Sequence, residues 1–154
     1  MSVNIAVQGC CHGELDAIYD SIREVEIKTG VKVDLLLIGG DFECLRCPDD
    51  LNSMAVPPKF RHMNSFHEYL VGTKVAPVLT IFVGGNHEAS NVLQDLYYGG
   101  YVAPNIYFLG ISGVVRFKWL RLAGISGNFD KRHYDQPHFE APPYTPNTIR
   151  RVYH

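Results

Sequence analysis

Cys10, His12, Asp41, Asn86 and His87 are the residues whose types and spacing bear on chemistry. They follow glycines that end apolar runs: Gly9 before Cys10-Cys11-His12, Gly39-Gly40 before Asp41, and Gly84-Gly85 before Asn86-His87. A thiolate, imidazoles, a carboxylate and an amide oxygen suit transition metals better than a nucleotide. Neither a G-x-G-x-x-G nor a Walker A loop occurs. One polar residue after a strand is ordinarily a turn former or a helix cap; three such strand ends are harder to ascribe to turns. Two metals about 3.5–4 Å apart clamp a phosphate and activate water for in-line attack. Asp41, on the middle element, is the natural bridge between them. Asn86 offers a neutral oxygen and His87 a proton. A merely buried, hydrogen-bonded His87 ranks second. Glu88 reads as a cap or first residue of the following helix.

These residues need a scaffold that brings them together. "VNIAVQG" alternates up to Gly9 and predicts a first strand. Leu15, Ile18, Ile22 and Val25 recur at helical spacing, and Gly30 sits where a C-cap is expected. "VDLLLIGG" predicts a buried second strand, so the unit is β-α-β and its strands are parallel. "KFRHMNSFHEYL" reads as a helix with Phe60, Met63 and Phe66-His67 on one side, "APVLTIFV" as a third strand, and "NVLQDLYYGG" as a short helix ended by glycines. "NIYFLG" and "GVVRFKWLRLAGIS" read as short strands, the latter a hairpin; from Asn128 onward the chain reads as a long structured loop. In a parallel sheet the three glycine-terminated ends converge on one crevice.

The 154 residues, 46% hydrophobic and 19% charged, suffice for one α/β domain with a real core. No apolar run approaches the ~20 residues of a membrane span, and the N-terminus lacks signal-peptide features. Four cysteines are too few for a disulfide scaffold, which points to a cytosolic or nuclear compartment with reduced thiols. Cys11 reads as a buried small hydrophobe. Cys44-x-x-Cys47 has no second pair to complete a zinc site, His62 is no convincing substitute, and these cysteines read as structural or incidental. Residues 1–115 hold seven basic and thirteen acidic side chains, whereas residues 116–154 hold seven basic and three acidic. A basic last third is compatible with a phosphate-rich partner, although charge alone describes a solvated face equally well.

The order "C-x-H-G … GGD … GGNHE" resembles the calcineurin-like metallophosphoesterases, with Cys10 in place of their usual first aspartate. With "GCCHGELDAIY", "VDLLLIGGDFECLR", "MAVPPKFRHMNSFHEY" and "YGGYVAPNIYFLG", the chain is similar to the RNA lariat debranching enzymes across nearly its whole length. The resemblance implies a metallophosphoesterase-type layered sheet flanked by helices, incomplete at its C-terminal side. It implies Cys10, His12, Asp41 and Asn86 as metal ligands, His87 as general acid, and branched lariat intron RNA as substrate in a nuclear setting. It also implies a lariat-recognition loop over residues 124–154. There Lys131, Arg132 and His133 would meet RNA phosphates, and Tyr134, Phe139 and Tyr144 would stack on bases. The thiolate favours Zn²⁺ or Fe²⁺ over Mg²⁺ in one pocket, with Fe²⁺, Mn²⁺ or Zn²⁺ in the other.

The family's later His-Asp and Gly-His-x-His motifs do not occur, and four ligands are too few to close two metal shells. The chain is therefore expected to be a truncated form with weak or no activity of its own. Two alternatives remain at this point: a metallophosphoesterase acting on phosphoproteins or nucleotides, and a non-catalytic binding module on the same fold. Oligomeric state is not encoded in any feature of the sequence.

Overall fold

The computed structural model describes residues 2–137 and 141–150. Its centre is a five-stranded mixed sheet in the order β1-β2-β3-β5-β4. Strands β1 (Ile5–Cys10), β2 (Leu35–Gly40), β3 (Thr80–Phe82) and β5 (Ile106–Phe108) are parallel, and β4 (Gly100–Ala103) joins β5 antiparallel at the edge. The remaining strands, β6 (Ser112–Phe117) and β7 (Leu120–Ile125), form the hairpin read from the sequence. Lys118 takes the left-handed conformation at its turn, with φ 53°.

The period-2 alternation of strand side chains sorts the core into two layers. Leu36, Ile38, Phe82, Ile106 and Phe108 face the helical layer. Leu35 and Ile81 face the other way, with Leu37, Leu79 and Tyr107, and meet Val115, Phe117 and Leu122 of the hairpin. Because β2 and β3 are covered on both faces, their sequences are continuously apolar.

Helix α1 (Leu15–Thr29) buries Leu15, Tyr19 and Ile22, and Gly30 caps it at φ 68° with its N–H on the Glu26 carbonyl. The buried face is turned from the one expected. Tyr19 occupies it and places its hydroxyl 2.9 Å from Thr80 Oγ1, Ile18 is only partly buried, and Val25 is exposed. The helix expected across residues 59–70 is confined to α2 (Phe66–Leu70). Pro58 opens a separate 3-10 turn, and Asn64 at φ 45° interrupts any helix between the two. The third strand is also shorter than its apolar run, although the flanking Leu79 carbonyl and Val83 N–H still bond β2. Strand β4 carries little local signal, because "GGYVA" has glycines where a strand signal is needed. Helix α3 (Ser90–Asp95) follows the third glycine turn, and α4 (Pro146–Ile149) is capped by Thr145.

Phe82 lies at the middle of the helical layer. It stacks on Phe42 at 3.9 Å between centroids and on Phe108 at 5.1 Å, and Phe42 meets Phe66 edge-on at 5.8 Å. Phe82→Ala should lower unfolding free energy by about 3–5 kcal/mol in urea titration. A loss below about 1 kcal/mol would mean that the stack does not hold the sheet to the turn after β2.

Candidate metal centre

The C-terminal ends of β1, β2 and β3 lie side by side. Cys10 pairs with Gly40 across the first two strands, and the chain continues in register beyond them: Cys11 N–H donates to the Gly40 carbonyl at 3.0 Å and His12 N–H to the Asp41 carbonyl at 2.6 Å. One donor atom from each of Cys10, His12 and Asp41 lies within 4.8 Å of the others. This is the one such group of three or more His, Cys or carboxylate residues found among the described residues. A thiol, an imidazole and a carboxylate so close together form a donor set suited to Zn²⁺ or Fe²⁺.

Asp41 lies at the middle of the group and is largely buried. Its Oδ1 accepts the His87 backbone N–H at 2.9 Å. Its Oδ2 is 3.7 Å from His12 Nε2 and 3.7 Å from His87 Nδ1, so one carboxylate oxygen stands between two imidazoles. The two rings are 5.7 Å apart. Asn86 sits between Gly85 and His87, and its Oδ1 is 3.4 Å from the Asn128 amide nitrogen. Ser126 holds that approach by accepting from Gly84 N–H at 2.8 Å, while Gly127 N–H donates to the Gly84 carbonyl at 2.8 Å.

The backbone is strained here. His12, Asp41 and Glu43 all have positive φ, at 48°, 47° and 64°. Each is a conformation that non-glycine residues adopt at a cost, and such residues cluster where surrounding structure enforces a functional geometry. Gly85 is required for a different reason. A Cβ there would overlap the Asp41 carboxylate and lie 2.6 Å from the Asp41 nitrogen.

Electrostatics disfavour negative charge until a cation arrives. Desolvation, then the Asp41 carboxylate, pushes the Cys10 thiol above its ordinary value. Burial drives Glu43 up to about 7, opposed by the His12 ring, whose Nδ1 is 3.4 Å from Glu43 Oε1. A divalent ion reverses such penalties and holds a coordinating thiol deprotonated.

Glu88 neither caps nor begins a helix, because α3 starts at Ser90. It is completely buried, and its oxygens accept the N–H groups of Phe42 at 2.8 Å, Glu43 at 2.8 Å and Gly85 at 2.9 Å. Burial raises its pKa to about 7 against those three bonds. It ties the turn after β2 to the turn after β3. Asn64 is a second positioning residue absent from the sequence reading; its amide donates to the His12 carbonyl at 3.1 Å. Only the acidic residue next to "GGNH" signalled Glu88, and nothing local signalled Asn64.

The other sequence-selected residues are scattered. Lys131, Arg132, His133 and Tyr134 share one exposed turn. Arg132 is bound to Asp130 through Nη2 at 2.7 Å, and Tyr134 leans on Phe129. Tyr144 is half-buried, its hydroxyl 3.3 Å from Gln94 Nε2, in a cavity of about 750 Å³ that none of the candidate ligands lines. Phe139 lies outside the described residues. Cys11 is buried, as expected; so is Cys44, whereas Cys47 is exposed.

The family model for calcineurin-like phosphoesterases matches residues 3–153. The chain belongs to the calcineurin-like phosphoesterase family. Phosphoesterases of this family are metal-dependent, in keeping with the donor group at the strand ends. The chain is similar to the lariat debranching enzyme of Danio rerio, at 60% identity over 99% of this chain and 27% of that protein. The Homo sapiens lariat debranching enzyme is 57% identical over 99% of the chain and 28% of its own length, and that of Arabidopsis thaliana 54% over 99% and 36%. The chain thus spans roughly a quarter to a third of these relatives' length.

Glu88→Gln presents an N–H₂ to at least one backbone N–H and leaves that donor unpaired. It should cost about 1–3 kcal/mol of stability in chemical denaturation. An unchanged midpoint and slope would show that the three bonds are not what joins the two turns.

Proposed function

We propose that this protein is a metal-dependent RNA phosphodiesterase that hydrolyses the 2′–5′ phosphodiester of branched lariat intron RNA. The observation that carries this reading is the convergence of Cys10, His12 and Asp41 within 4.8 Å. High identity to lariat debranching enzymes along 99% of the chain supports the substrate. A nuclear location follows from that substrate, and the recognition loop over 124–154 belongs to the same reading. Among the described residues no helix is long and apolar enough to cross a membrane.

Cys10, His12, Asp41 and Asn86 are the residues proposed to hold two divalent ions, drawn from Zn²⁺, Fe²⁺ and Mn²⁺. When bound, such ions neutralise phosphate charge and acidify water. Asp41 offers Oδ2 for this purpose, since Oδ1 is engaged by His87 N–H. In the hydrolysis, a water oxygen bonds to phosphorus and the phosphorus–O2′ bond breaks. His87 gives its proton to the departing 2′-oxygen. Its ring lines a cavity of about 450 Å³ with His12, Glu43 and Phe60, open to a substrate. Phe60 is 59% exposed there, available for stacking on a base.

Two experiments test this reading. In the full-length protein, His87→Ala should lower turnover of branched RNA about 10²–10⁴-fold while metal content is kept; unchanged turnover removes His87 from the reaction. Cys10→Ser should weaken Zn²⁺ binding roughly tenfold or more, and Mn²⁺ binding less, by calorimetric titration. Equal losses for both metals would argue against a thiolate ligand.

A further inference from the structure

Arg61 and Arg150 are half-buried cations that meet from distant parts of the chain. Each is fixed through Nε to a backbone carbonyl: Arg61 to Val56 at 2.7 Å and Arg150 to Asn52 at 2.8 Å. The terminal N–H groups of both guanidiniums are left without a partner among the described residues. Neither forms an ion pair there, whereas Arg23, Arg46 and Arg132 are matched by Asp20, Asp50 and Asp130. Desolvation, and after it the charge of Arg150, lowers the Arg61 pKa, as expected for like charges held close with no counter-charge among the described residues. An anion between them would relieve that repulsion.

The two arginines, His133 and Asn147 line a cavity of about 440 Å³ walled by residues 54–58. Val56 and Pro57 also wall the cavity that contains His12, Phe60 and His87. The segment from Pro57 to Arg61 therefore divides two adjoining hollows, with an exposed aromatic in one and a guanidinium in the other. This alternation of stacking surface and cation is what a single strand of nucleic acid requires. The planar guanidinium fork matches phosphate oxygens in pairs. Arg116 and Arg121, opposite each other on the exposed hairpin, line neither of these two hollows.

We propose that Arg61, Arg150 and His133 form a subsite for a backbone phosphate of the RNA strand adjoining the branch, an inference that rests on the RNA phosphodiesterase reading. It relocates the phosphate contact from Arg132, which Asp130 neutralises, to Arg150 of the basic last third and to Arg61, which lies in the acidic body of the sequence.

The test is fluorescence anisotropy of the full chain with a labelled single-stranded oligoribonucleotide between about 50 and 200 mM salt. Arg61→Gln and Arg150→Gln should each flatten the plot of log affinity against log salt by about 0.7, and the double variant by about 1.4. Arg61→Lys, which keeps the charge, and Arg116→Gln, which removes one from the hairpin, should retain the wild-type slope. Unchanged slopes in both glutamine variants, with RNA still bound by the wild type, overturn the subsite and leave the RNA reading standing. An equal flattening in Arg116→Gln also overturns it, because the charge would then act diffusely. Absence of RNA binding by the wild type overturns the subsite and the RNA reading together.

Discussion

A carboxylate with no solvent contact holds three backbone N–H groups that come from two different turns. Glu88 thereby closes the gap between the chain leaving β2 and the chain leaving β3. Burying a carboxylate costs free energy unless its lone pairs are filled, and these three bonds offset that cost. The result is that Asp41, lying just before Phe42 and Glu43, is fixed against Gly85 and His87. The metal donors thus depend on a group that does not itself belong to the donor cluster.

Several consequences follow from this close approach. Gly85 must lack a side chain, because Asp41 occupies the space a Cβ would need. His12, Asp41 and Glu43 are held at positive φ, and Asn64 secures the first of them through its carbonyl. The hairpin on the far face contributes as well: Ser126 and Gly127 bind Gly84 and bring Asn128 to Asn86. The aromatic stack of Phe42, Phe82 and Phe108 anchors the same turn from below. Strain at the rim is sustained by packing in the layer beneath it.

Charge is arranged in the same spirit. The acidic body concentrates carboxylates around the strand ends, where the Asp41 charge adds to the burial cost of ionising Glu43 and Glu88. Such a pocket attracts cations, which in turn make it tolerant of a phosphate. Arg61 and Arg150, which form no ion pair among the described residues, stand one hollow away, across Val56 and Pro57. Positive charge close enough to guide an anion, yet separated from the carboxylates, avoids quenching by internal ion pairs.

Sequence alone settled what depends on neighbours in the chain. Apolar runs ending in glycine marked β1, β2 and β3. Parallel connection places the ends of such strands on one side, so Cys10, His12 and Asp41 were predictable companions. The hairpin and the Gly30 cap were legible for the same local reason. Tertiary structure decided what depends on partners far apart. The Glu88 bonds span up to 46 positions and the Arg150 anchor 98, separations at which no periodicity operates. Which face of α1 is buried was set by a tyrosine hydroxyl finding Thr80, and the pairing of Arg23, Arg46 and Arg132 was set by where Asp20, Asp50 and Asp130 fall. Periodicity records the average burial of an element, whereas hydrogen bonds and ion pairs are decided only when distant segments are brought within about 3 Å of each other.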